Sequence, residues 1–223
     1  MKMEDSLKGL FIVIEGGEGA GKTTQAELLF RSLSQRFPVI LTREPGGTKL
    51  GERIRELLLD PSLRPLSARA ELFLFLAARS QHIEEVIKPA LEEGKIVISD
   101  RFSLSTFAYQ GFGRGLELSL LEEIDNFACQ GISPHLTIYL DVPPEEGIKR
   151  LSTLTPFEGE PLEFHKKVRE GYLEIASRYP DKIKVLNGEG GIEEVRQRIE
   201  EIVEELLRRW CDEAAHNGSS QQG

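Results

Sequence analysis

Residues 16–23 read Gly-Gly-Glu-Gly-Ala-Gly-Lys-Thr, a match to G-x-x-x-x-G-K-[ST], directly beyond the apolar run Leu10-Phe11-Ile12-Val13-Ile14. A helix-forming stretch, residues 24–36, follows at once. This succession admits few folds, because it needs a buried strand whose far end opens onto a helix N-terminus. The glycines let backbone N–H groups converge on phosphate oxygens, Lys22 brings a point charge to the β- and γ-phosphates, and the Thr23 hydroxyl is placed to ligate Mg²⁺. Gly16, Gly17, Glu18, Gly19, Ala20, Gly21, Lys22, Thr23 and Thr24 are therefore the candidate contacts for a nucleoside triphosphate.

Four further short apolar runs, at 39–42, 96–99, 136–140 and 183–186, have the continuous character of strands buried on both faces. Helical patterns lie between and after them, at 67–92, 118–128, 162–177 and 192–210. The alternation predicts an α/β fold of the P-loop NTPase kind: a doubly wound, five-stranded parallel sheet with helices on both faces and right-handed crossovers. Ligands in such folds bind beyond the carboxyl ends of the strands, where the phosphate loop, residues 42–48 and Asp100 all fall. Residues 1–212 suit a single domain, and the small, polar end, 213–223, is expected to be disordered.

Composition narrows the function classes. A formal charge of −9 argues against a general nucleic-acid binder, which would need a basic face, so any cationic site is local. Residues 1–9 are polar and the apolar run beyond them is short, which predicts a cytoplasmic protein with no membrane partner. Cys129 and Cys211 lie far apart without His or Cys at ligand spacing; Cys129 reads as a buried thiol and Cys211 as a free one.

Three constellations carry further chemistry. Residues 96–100, Ile-Val-Ile-Ser-Asp, form an apolar strand ending in an acid, which makes Asp100 a candidate for the Mg²⁺ shell, with a turn cap as its alternative. Arg101 beside it has the planar fork that holds a phosphate bidentately. Phe75 and Arg79, four apart on a helix, share a face suited to a base bearing carbonyl groups, although simple core packing is the better reading of Phe75 from its neighbours alone. Residues 42–48, Thr-Arg-Glu-Pro-Gly-Gly-Thr, form a rigid loop at the ligand end.

Together, FIVIEGGEGAGKTTQ (11–25), TREPGGT (42–48), LFLAARSQH (74–82), SDRFSLSTFAYQG (99–111), LTIYLDVP (136–143) and FHKKVREGYLEIA (164–176) resemble the thymidylate kinase family over most of residues 10–210. The resemblance implies transfer of the ATP γ-phosphoryl group to thymidine 5′-monophosphate (dTMP) in dTTP synthesis, with Mg²⁺ and a homodimeric assembly. It implies that Phe75 stacks on thymine, that Arg79 and Thr106 bond its polar edge, and that Arg101 holds the acceptor phosphate. It further implies that Ser105 and Gln110 line the pocket, that Tyr109 packs where a ribose 2′-hydroxyl would lie, that Glu15 faces the sugar and acceptor phosphate, and that Arg43 and Pro45 wall the nucleotide. Lys22, Arg101, Arg150 and Glu15 are the catalytic candidates.

The chain departs from the family in its lid, residues 150–163. Family members carry a transition-state arginine in the phosphate loop or in the lid; here the loop position is Gly19, and 151–163 contains no arginine. Arg150 is the first candidate to replace it, with Arg114, Lys166 and Lys167 behind it and a solvated helix-end charge as the plain alternative for Arg150. His135, where the family has Asp, is expected to be of little consequence. A kinase for another nucleoside monophosphate or a deoxynucleoside shares the loop and fold but not TREPGGT and STFAYQG. A nucleotide-gated switch without small-molecule transfer is the remaining class.

Overall fold

The computed structural model describes residues 9–152 and 155–219, with side chains to 212. Its five parallel strands, β1 (Leu10–Gly16), β2 (Val39–Arg43), β3 (Ile96–Asp100), β4 (Leu136–Asp141) and β5 (Ile183–Asn187), lie in the order β2-β3-β1-β4-β5. All five agree with the predicted runs. β1 is central and buried along its whole length, so its side chains feed two cores by simple alternation. Leu10, Ile12 and Ile14 pack with α1 (Lys22–Leu33) and α9 (Ile192–Ser219), through Leu29, Leu33, Ile199 and Val203. Phe11 and Val13 face the other layer, where Phe11 meets Phe102 edge-on at 5.0 Å.

Register places the chemistry. Ile14 is the partner of Asp100, and Asp100 of Arg43, so the phosphate loop, the acidic end of β3 and the loop after β2 leave the sheet side by side. His135 joins two strands. Its main-chain N–H donates to Phe11 O at 2.8 Å and its Nδ1 accepts from Phe11 N at 2.9 Å, tying the start of β4 to β1.

The helices differ from expectation where glycine, proline or polar residues hide the pattern. The single helix predicted at 67–92 is α3 (Ala68–His82), a wide i→i+5 segment (Ile83–Ile87) and α4 (Lys88–Glu92). Pro89 cannot donate into a regular ladder, and the widened turn sits just before it. Three further helices, α2 (Lys49–Leu59), α5 (Ser103–Thr106) with its wide continuation to Gly113, and α7 (Pro144–Lys149), were not predicted. α2 is capped by Thr48, whose Oγ1 accepts from Gly51 N at 2.9 Å, and it turns Ile54 and Leu58 inward. α6 (Leu118–Cys129) and α8 (Leu162–Arg178) match prediction within two residues. The α9 backbone runs helical to Ser219, past the expected start of a disordered tail at 213; residues 220–223 lie outside the described residues. Cys129 is buried, with its thiol pushed up to about 12 by burial, and Cys211 is exposed. Among the described residues no helix is long and apolar enough to cross a membrane.

Candidate functional site

The site has two halves joined at Arg101. The first is the phosphate loop. Gly21, in the left-handed region at φ 87°, starts α1, and no side chain caps it, so the first N–H groups of that helix stand open to an anion. Lys22 folds back over the loop, its Nζ donating to Gly17 O at 2.7 Å. Burial lowers its pKa, and Arg101 adds to the lowering, while Glu18 and Asp100 oppose it; an incoming polyphosphate would stabilise the charged form. Thr23 Oγ1 donates to Asp100 Oδ2 at 2.5 Å, while Asp100 Oδ1 is buried with no partner among the described residues. A hydroxyl and an under-used carboxylate, both hard oxygen donors beside the loop, fit Mg²⁺ held mainly by phosphate oxygens and water.

Gly19 does something different. It lies at φ 69°, and a Cβ there would overlap the carbonyl of Gly147 in α7; a Cβ at Gly147 would in turn overlap Glu18 O. Loop and helix therefore touch backbone to backbone. That contact delivers Arg150, which ends α7, to the loop, where its Nη1 donates to Gly19 O at 3.4 Å.

The second half is a cavity of about 130 Å³ beside the loop. Pro45, Phe75, Arg79, Arg101, Ser105, Thr106, Tyr109 and Gln110, all expected there, do line it. Two expected residues do not. Arg43 points the other way, pairing with Glu52 at 3.0 Å beside Thr23 and Asp100. Glu15 is fully buried behind the cavity, where Oε1 accepts from Phe102 N (2.8 Å) and Ser105 N (3.2 Å), and Oε2 from Ser105 Oγ (2.7 Å) and Tyr172 OH (3.0 Å). Burial raises its pKa against the pull of Arg101 and these donors. These bonds tie down the turn in which Arg101 adopts φ 74°, a left-handed conformation that costs a non-glycine residue on the order of 1 kcal/mol.

Arg101 touches both halves. Its Nη1 donates to Gly16 O (3.1 Å), Ser105 Oγ (3.1 Å) and Tyr172 OH (3.2 Å), and its Nη2 to Glu18 Oε1 (3.0 Å) and Tyr109 OH (3.3 Å). Burial alone would favour discharge, but Tyr109, Glu18 and Glu15 around it hold it firmly protonated. The Glu18 side chain thus belongs to the cavity, not to the triphosphate cradle its backbone helps to form. Burial would raise its pKa, yet Arg101 and Lys22 hold it down at about 2.

Arg79 is buried and committed: Nε donates to Glu44 Oε2 (2.7 Å), and Nη1 to Thr106 Oγ1 (2.8 Å) and to Asp125. Glu44 also meets His82 Nδ1 at 3.1 Å; burial pushes the Glu44 carboxyl up, but Arg79 and His82 bring it below its ordinary value. Sequence reasoning missed this pairing, and it missed Arg55, Tyr172 and Asp125. Arg55 lines the cavity and donates to Pro45 O at 3.2 Å. The capping Thr48 and the inward Ile54 and Leu58 were the signal that could have revealed its helix.

The thymidylate kinase family model matches residues 14–199. A thymidylate kinase of Carboxydothermus hydrogenoformans is 47% identical over 204 residues, covering 90% of this chain and 99% of that protein. One from Synechococcus sp. (strain JA-2-3B'a(2-13)) is 46% identical over 199 residues, covering 89% and 96%. The crystal structure of thymidylate kinase from Ehrlichia chaffeensis superposes with a TM-score of 0.76 at 35% identity, covering 87% of this chain and 98% of that one.

Proposed function

The chain belongs to the thymidylate kinase family, and from that premise we propose that it transfers the γ-phosphoryl group of ATP to dTMP, giving the diphosphate and ADP. One observation carries the reading at this site: a single guanidinium, Arg101, spans the phosphate loop at Gly16 O and the acceptor cavity at Glu18 and Tyr109.

The acceptor is already an anion, so no strong base is required; the protein must bring two anions into line and neutralise charge as it moves. Lys22 and the open N–H groups of α1 receive the donor phosphates. Phe75 faces the thymine ring, and Thr106, held by Arg79, and Gln110 address its polar edge. Arg101 and Arg55 receive the acceptor phosphate. When bound, Mg²⁺ on Thr23 and Asp100 would offset the charge of the β- and γ-phosphates. Arg150 is the transferring cation in this reading: the Gly19–Gly147 contact leaves no room for a loop arginine and seats Arg150 beside the loop instead. Residues 150–163 act as the lid; Thr153 and Leu154 lie outside the described residues.

Family membership supports a cytoplasmic homodimer. The large apolar side chains Phe127 on α6 and Phe73 on α3, 88% and 63% exposed, suit a face covered by a second copy.

ADP release from Mg-ATP, compared with no acceptor and with dTMP, dUMP, dCMP, AMP and thymidine, tests the activity. Release should require dTMP; release indifferent to acceptor would leave only a nucleotide-binding role, and preference for another acceptor would reassign the cavity.

A further inference from the structure

Residues 151–163 of the lid carry no arginine or lysine, so any cation that holds this part of the lid over its pocket must come from elsewhere in the chain. We propose that Phe157 completes the acceptor pocket, and that buried Glu71 anchors two arginines, Arg64 and Arg114, which clasp the lid above it. The proposal rests on the reading of the 130 Å³ cavity as the acceptor site.

Glu71, in the first turn of α3, is completely buried and takes four donors. Arg64 Nη1 reaches Oε2 at 3.0 Å, Arg114 Nε and Nη2 reach Oε1 and Oε2 at 3.2 and 3.1 Å, and Gln110 Nε2 reaches Oε1 at 2.9 Å. One carboxylate thus holds two guanidinium groups, leaving a local surplus of positive charge and two cationic faces to be used elsewhere. Both are used on the lid. Arg64 lies over the Phe157 ring at 4.5 Å, and Arg114 pairs with Glu160 at 2.7 Å while lying over Phe164, just beyond the lid, at 4.5 Å.

The lid segment is shaped to present Phe157. Thr155 N donates to Glu158 Oε2 at 2.5 Å, Glu158 N donates to Thr155 Oγ1 at 3.4 Å, and Gly159 N donates to Thr155 O at 2.9 Å, a turn that closes on itself. At its centre Phe157 is only 8% exposed, and its ring stands 5.8 Å from that of Phe75, tilted by 58°. Phe157 and Phe75 thus meet as adjoining aromatic walls of the cavity, with no space for a ring between them, and Gln110 links that cavity to Glu71. Glu71, Arg64 and Arg114 are positioning residues: they act on the substrate through the lid. Body arginines thereby supply closure, which also keeps water from the γ-phosphate.

The test is steady-state transfer with dTMP varied at saturating Mg-ATP, with ADP and thymidine diphosphate both quantified, on the wild type and on Phe157→Ala, Phe157→Leu, Arg114→Ala and Phe75→Ala. Phe157→Ala should raise KM for dTMP about tenfold with kcat within about threefold of wild type, and should raise the share of ADP formed without thymidine diphosphate. Phe157→Leu should restore most of both, and Arg114→Ala should show the same split more weakly. If Phe75→Ala raises KM while Phe157→Ala leaves KM and coupling at wild-type values, the clasp is refuted. If neither substitution moves KM, the acceptor-pocket reading has failed instead. Because Phe157 sits in a surface lid, its variants give the answer even if substitutions at Glu71 prevent folding.

Discussion

The donor half of the site is made of backbone and the acceptor half of side chains. The phosphate loop presents main-chain N–H groups and close glycine contacts, with Lys22, Thr23 and Asp100 at its edge. Around the second cavity stand buried ion pairs, Arg79 with Glu44 and Asp125 and Arg101 with Glu18, and behind them Glu71 with its two arginines. A backbone cradle is formed by local chain geometry and depends little on distant packing. A side-chain pocket of buried ion pairs depends on partners far apart in sequence, and removing one partner strands a charge in a poor solvent for it. Function and stability should therefore separate in the first half and coincide in the second.

Lys22→Ala should be the most damaging change to rate and among the least damaging to the fold. We expect transfer to fall by at least about a thousandfold, while thermal unfolding moves little because the group removed is an ammonium whose charged form burial disfavours. Near-normal turnover would break the donor assignment, and a large loss of stability would break the comparison. Asp125→Ala should do the reverse, destabilising the protein by about 3 kcal/mol, or roughly 10 °C in the midpoint, since Arg79 loses one of its two buried carboxylates. A midpoint within about 2 °C of wild type would show that the pair is not what holds this half together. Arg150→Ala should lower kcat about a hundredfold with KM for dTMP unchanged, the signature of an interaction made only in the transition state; an unchanged rate would remove Arg150 from the mechanism. The smallest effect concerns the thymine methyl, whose burial is worth on the order of 1 kcal/mol, so kcat/KM for dUMP should be about fivefold to tenfold below that for dTMP. Equal values would mean that the Phe75 slot does not enclose the methyl.

The same contrast explains what could be read before the fold was known. Converging N–H groups demand glycines at fixed spacing, so residues 16–23 declared themselves, and five continuously apolar strands declared the sheet. The family resemblance then named most of the cavity. It could not reveal that Glu15 turns away to secure Phe102 and Ser105, or that Arg43 leaves the pocket for Glu52. Those outcomes depend on which of several nearby donors and acceptors pair across long stretches of chain, and no local spacing encodes that choice. Arg55 was missed for a simpler reason: a capped, amphipathic helix was passed over between a glycine pair and a proline-rich turn.

The meeting of Gly19 and Gly147 also limits how this catalyst can change. Neither position can accept a side chain while the other backbone stays where it is, so a change at one requires a shift at the other. An arginine cannot enter the loop by a single substitution; α7 would first have to withdraw, and withdrawing it would carry Arg150 away. Moving the cation from helix to loop is thus an exchange with no working halfway point along that route. The seat of Arg150 rests on that backbone contact and not on the sequence of residues 151–163, which carry no arginine.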